Sequence, residues 1–141
     1  MTHRPVSRAL RAAVRERADG VCEYCRAPEW IIGQSFEVDH IVPRAKDGTD
    51  DLANLCWACP GCNASKQART HHQDPIDAAT VRLFDPRRDV WWEHFRWEDS
   101  GTEVAGISAI GRATVDALRL NNNLITSARS LWRAIGWQPD P

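Results

Sequence analysis

The sequence predicts a small α+β fold: a strand, strand, helix unit preceded by one helix and followed by an extension of a short hairpin and two helices. Three observations predict it. Two C-x-x-C pairs, Cys22 with Cys25 and Cys59 with Cys62, bracket a segment in which Phe36 and Val38 alternate with Glu37 and Asp39, the period of a half-buried strand. Beyond Asp85-Pro86 a cluster of Trp and Phe gives way to two stripes at helical spacing, Ile110, Thr114, Ala117 and Leu118, then Leu124, Ile125, Ala128, Leu131, Trp132 and Ile135. At 141 residues with 43% hydrophobic content, a single domain over 1–141 accommodates all of this, with a core too small to be generous in its cysteine half.

Each element has a local cause. Pro5 and Ser7 start a helix, Leu10, Ala13 and Val14 give it one apolar face, and Asp19-Gly20 stops it. Val21 to Arg26 makes a tight knuckle whose backbone N–H groups point at the sulfurs of Cys22 and Cys25. A strand over Ser35 to Ile41 is ended by Pro43; since successive side chains of a regular strand face opposite ways, Asp39 and His40 serve one site only if the strand ends or bulges there. Arg44 to Asp51 is a polar loop turning at Lys46-Asp47-Gly48, and Leu52 to Leu55 returns as the second limb carrying Asn54. Cys59 is placed as an N-cap with Pro60 at the first helical position, and a helix from about Pro60 to about Thr70 puts Asn63 and Lys66 on one face. In the extension, residues 74–141, Phe95 to Trp97 pairs with Glu103 to Ile107 across Asp99-Ser100-Gly101, and Asn121-Asn122-Asn123 separates the two helices. The extension is expected to pack on the core rather than stand alone.

The chemistry divides in two. Five cysteines, an odd number, disfavour a closed disulfide framework, and two C-x-x-C pairs in a reducing compartment suit one structural zinc (Zn2+) on Cys22, Cys25, Cys59 and Cys62. No apolar run follows Met1 and none reaches the ~18 residues of a membrane span, so a cytoplasmic protein is expected. Asp39, His40 and Asn63 are oxygen and imidazole groups, which suit a hard divalent ion and a proton acceptor and point to phosphodiester chemistry. Net charge is only −1, but residues 1–17 carry five Arg against one Glu, and residues 59–72 carry Lys66 and Arg69 with no acid. Phosphate binding is therefore expected to be local and salt-sensitive, through Lys66 and Arg69, with the N-terminal arginines either joining it or solvating a helix face. Residues 87–97 are rich in aromatics, yet four acids over 85–98 favour a structural cluster over base stacking.

Cys22-Glu-Tyr-Cys25, Phe36-Glu-Val-Asp39-His40-Ile-Val-Pro43 and Asn54-Leu-Cys56-Trp-Ala-Cys59-Pro-Gly-Cys62-Asn63-Ala-Ser-Lys66 occur in this order at spacings that resemble the HNH endonuclease family, the ββα-metal or treble-clef nucleases, in its four-cysteine zinc subgroup. The resemblance covers roughly residues 14–70. It implies His40 as general base, Asp39 and Asn63 as ligands of one catalytic Mg2+ or Mn2+, Asn54 as the residue that ties the loop beside His40, and DNA as the partner. It also places Cys56 outside the zinc site, because pairing Cys56 with Cys59 strips Cys62 and breaks the spacing from Asn54 to Cys59. The stretch from Leu83 to Trp97, with Gly111 to Thr114, resembles the tail of many small bacterial members. The alternative is a non-catalytic zinc module that holds nucleic acid or a protein partner; a ribonuclease would use the same residues.

Overall fold

The computed structural model describes residues 4–98 and 100–139. Helix α1, Arg8–Arg17, is capped by Ser7, whose Oγ accepts from the Leu10 N–H at 3.1 Å; it stops where Asp19 and Gly20 take positive φ. Its apolar face delivers Val14 to the core with no exposure. The first knuckle follows, and after it a single helical turn, α2, Glu29–Ile32.

Strand β1, Glu37–His40, pairs antiparallel with β2, Leu55–Ala58, and the register sets Asp39 opposite Cys56 and His40 opposite Leu55. β1 ends at His40, as the two-face argument requires. The second limb starts later than expected: Asn54 sits in a 3-10 turn over Leu52–Asn54, and pairing begins at Leu55. That turn places the Asn54 side chain over the loop, where Oδ1 accepts from Val42 N–H at 2.9 Å and Nδ2 donates to Val42 O at 3.0 Å and Thr49 O at 2.8 Å.

Helix α3, Pro60–Lys66, is capped by the Cys59 sulfur and has Pro60 in its first turn. It is shorter than the ~11 residues the sequence suggests, because Gln67 adopts φ 55° and turns the chain away. The chain then forms a hairpin the sequence does not announce, β3, His71–Gln73, with β4, Thr80–Arg82.

The extension continues with α4, Trp91–His94, then β5, Phe95–Trp97, paired with β6, Val104–Gly106. This is the expected hairpin; Asp99 of its turn lies outside the described residues. Helices α5, Ala109–Leu118, and α6, Asn123–Ala134, are capped by Ser108 and Asn122; α5 buries Thr114, Ala117 and Leu118 of its stripe, whereas α6 buries Trp132 with Arg129 and leaves Leu124, Leu131 and Ile135 of its stripe exposed. Gly111 lets α5 lie against the backbone carbonyl of His94, a spot any Cβ would occupy. One apolar cluster runs from Val14, Phe36, Leu55 and Trp57 through Tyr24 to Phe84, Trp91, Phe95, Leu118 and Trp132, so core and extension share it. Among the described residues no helix is long and apolar enough to cross a membrane.

Candidate active site and metal cluster

Two tight turns bring four sulfurs together. Cys22, Cys25, Cys59 and Cys62 are all buried and free of disulfides, and their sulfurs lie within 4.8 Å of one another. Cys25 and Cys59 sulfurs are 3.6 Å apart, close to the edge of about 3.8 Å that a tetrahedron with Zn–S bonds of about 2.3 Å requires. Each knuckle turns a backbone N–H onto its first sulfur: Cys25 N to Cys22 Sγ at 3.5 Å, Cys62 N to Cys59 Sγ at 3.4 Å. The protons of so crowded a set are unevenly shared. Hydrogen bonds from Cys22, Cys25 and Cys62 push the Cys59 thiol down, whereas the Cys22 and Cys59 sulfurs push Cys25 up, and Cys62 is pushed up likewise by Cys22, Cys25 and Cys59. A dication removes that conflict, and this all-sulfur donor set fits zinc.

The fifth cysteine stands apart. Cys56 on β2 directs its sulfur to Asp39 Oδ2 at 3.6 Å, and burial, followed by the Asp39 charge, pushes its thiol well up, so it remains an S–H donor. Asp39 is itself enclosed. Tyr24 Oη donates to its Oδ2 at 2.7 Å, and the Lys66 ammonium lies 3.1 Å from Oδ2 and 3.3 Å from Oδ1. Burial holds the Tyr24 hydroxyl well above its usual range, keeping it a donor.

Lys66 departs from expectation. Expected to meet a phosphate, it is instead 1% exposed and donates to Asp39, His40 O at 3.1 Å and Ile41 O at 3.2 Å. These partners account for its three N–H bonds, leaving none for a phosphate. Arg69 likewise works inside the fold: its guanidinium donates to Ser65 O and, at 2.8 Å, to Ala117 O, and lies 3.2 Å from His72 Nδ1, tying α3 to α5.

The neighbours His40 and Asp39 turn to different partners, as strand alternation demands. His40 Nε2 lies 2.8 Å from Asp50 Oδ1, and Arg44 grips the same carboxylate with two nitrogens at 3.0 and 2.9 Å. Arg44, then His40, lower the Asp50 carboxyl to about 2. Asn63, on the first turns of α3, donates from Nδ2 to the Glu37 carboxylate. Because β1 stops at His40, Glu37, Asp39, His40 and Asn63 still line one cleft of about 580 Å³, and Arg4, Arg11 and Arg44 give it a basic side. Asn54 stays behind it as the clasp of the loop.

Three of these groups escape a sequence reading. Glu37 is two residues before Asp39 and so on the same strand face, a signal present but weak. Tyr24, between the knuckle cysteines, and Asp50, in a polar loop, carry none. Residues 22–69 match the model of the HNH endonuclease family. No curated protein and no solved structure shows a match to the chain. The matched segment opens on the first knuckle cysteine and contains both C-x-x-C pairs, the Asp39-His40 dipeptide, Asn54 and Asn63, so over residues 22–69 the chain carries an HNH endonuclease family domain.

Proposed function

We propose that the protein is a metal-dependent HNH endonuclease that hydrolyses DNA phosphodiester bonds, with a structural zinc on Cys22, Cys25, Cys59 and Cys62. The observation that carries this reading is the meeting of His40, Asn63, Glu37 and Asp39 at one cleft with a basic side, inside the family segment. His40 takes the proton of the attacking water, since an imidazole accepts a proton near neutral pH. Asp39 and Asn63, with Glu37 beside them, are the hard oxygen donors that would hold a Mg2+ or Mn2+. When bound, that ion supplies charge neutralisation at the phosphate and at the leaving oxygen. Arg4, Arg11 and Arg44 take over the phosphate-binding role first expected of Lys66 and Arg69, and Lys66 holds the Asp39-His40-Ile41 backbone in place from within.

The enclosure of Asp39 by Lys66 and Tyr24 favours a second reading, a zinc module that holds nucleic acid without cutting it. One experiment separates them: zinc-loaded protein incubated with supercoiled plasmid, with and without Mg2+ or Mn2+, beside His40→Ala and a parallel RNA substrate. The nuclease reading expects metal-dependent nicking or cutting that His40→Ala reduces by roughly 10²–10⁴-fold while zinc content and DNA affinity persist. A folded, DNA-binding His40→Ala that cleaves at the wild-type rate leaves the binding module in its place.

A further inference from the structure

The contact between His40 and Asp50 spans ten residues of sequence and is fixed from several sides. Arg44 is bidentate on Asp50, and its remaining nitrogen donates to the carbonyl of Arg4, which lines the cleft. The Thr49 carbonyl next to Asp50 is held by Asn54 Nδ2 at 2.8 Å. Beside a guanidinium and with its carboxyl lowered to about 2, Asp50 is an anion at neutral pH and can only accept hydrogen bonds. A ring nitrogen 2.8 Å from such an acceptor must carry the proton. In a neutral imidazole the lone pair then resides on the other nitrogen, Nδ1. Among the described residues His40 Nδ1 has no hydrogen-bond partner, and His40 lines the cleft.

We propose that Asp50, clamped by Arg44, is the positioning residue of the site: it holds His40 as the Nε2–H tautomer and so leaves Nδ1 as the atom that takes the proton from water. This rests on the nuclease reading for the water, not for the tautomer. In the step, a water O–H bond breaks and Nδ1–H forms, the oxygen bonds to phosphorus, and the P–O bond to the leaving oxygen breaks, that oxygen acquiring its proton from solvent. The imidazolium so formed directs its Nε2–H at the Asp50 carboxylate, which lowers the energy of the charged ring.

The test uses the full zinc-loaded chain with 15N-histidine, the His40 signals being identified by their loss in His40→Ala. At pH about 8, above the ordinary imidazole range, long-range 1H–15N spectra report the tautomer directly. The expected result is Nε2–H in the wild type and in Asp50→Asn, whose amide oxygen still accepts, and a tautomer mixture in Asp50→Ala. With Mg2+ and plasmid, Asp50→Ala is expected to lower kcat about 10–100-fold at unchanged KM, with partial recovery in Asp50→Asn. An Nδ1–H wild type, an Asp50→Ala spectrum identical to wild type, or an unaltered kcat in Asp50→Ala overturns the assignment. Wild-type protein that shows the Nε2–H spectrum yet cleaves nothing supports the Asp50 contact and sinks only the nuclease reading.

Discussion

An ammonium at 1% exposure is tolerable only because oxygens surround it: Lys66 has the Asp39 carboxylate and the carbonyls of His40 and Ile41 within hydrogen-bond reach. Removing one member of such a pair leaves the other charge buried without compensation, an effect of about 3–5 kcal/mol. Lys66→Met is therefore expected to lower the urea midpoint of the zinc-loaded protein sharply, and Asp39→Asn added to it should restore part of the loss; an unshifted midpoint in the single variant would contradict the pairing. The helical spacing of Asn63 and Lys66 was legible, but spacing names a face and not what that face meets. His40, Asn63 and the four cysteines were legible because their chemistry is scarce and their spacing regular. Asp50 was not, because a loop aspartate looks the same whether it points at solvent or at an imidazole. The two classes of cysteine separate by metal content: Cys59→Ser should lose zinc and unfold the knuckles, whereas Cys56→Ser should keep it, since Cys56 faces Asp39 and not the cluster. Zinc lost from the Cys56 variant alone would refute that ligand set.

Among the elements, starts were easier to locate than stops. Cys59 followed by Pro60 fixes the first turn of α3 through a capping sulfur and a residue with no N–H to orphan. Its end at Lys66 depends on the positive φ of Gln67 and on Arg69 reaching Ala117 on α5, a partner 48 residues away. The β3–β4 hairpin is invisible for a related reason. His71-His72-Gln73 has no apolar alternation, and what seats the hairpin is a long-range pair, Asp74 with Arg112, at 2.7 and 3.0 Å. Arg112 holds the Asp74 carboxyl below its usual range. A carboxyl depressed in the folded state contributes stability that is fully present above its unfolded value, about pH 4, and is lost as pH falls through the folded one. Asp50 with Arg44 and Asp89 with Arg82 act in the same direction, while Glu23, raised by burial, acts in the opposite one. The expected outcome is wild-type stability that falls between about pH 4 and pH 2, with a shallower fall in Asp74→Asn. Parallel acid profiles for the two proteins would show that the Asp74 pair does not anchor the hairpin.

On the scale of the whole molecule, the family segment and the extension contribute to one buried apolar cluster. The extension reaches Glu23, Tyr24 and Arg26 of the first knuckle. Arg87 pairs with Glu23, Trp91 Nε1 donates to Tyr24 O at 2.9 Å, Phe84 packs edge-on against the Tyr24 ring, and Arg26 lies over Trp91. Tyr24 in turn holds Asp39 through its hydroxyl, so the path from Trp91 to the cleft is two residues long. The sequence implied an extension packed on the core from the absence of a linker, but not that Trp91 and Phe84 form the back wall of the knuckle, since an aromatic cluster looks alike in sequence whatever it covers. A piece of about 70 residues rarely gains more than about 3–5 kcal/mol from its own core. A fragment ending at Gln73 loses Arg87 from Glu23, Phe84 and the Trp91 donor from Tyr24, and Trp91 from Arg26, and opens the shared cluster along its middle. It is expected to show little cooperative structure by circular dichroism even with zinc, and to yield its metal to a chelator that leaves the full chain loaded. In the full chain, Trp91→Ala should destabilise by about 3–5 kcal/mol, the scale of removing a buried Trp, and should weaken zinc retention although Trp91 touches no sulfur. If the fragment instead unfolds cooperatively and holds zinc as tightly as the full chain, the extension is a separable appendage and the knuckle is braced by the metal alone.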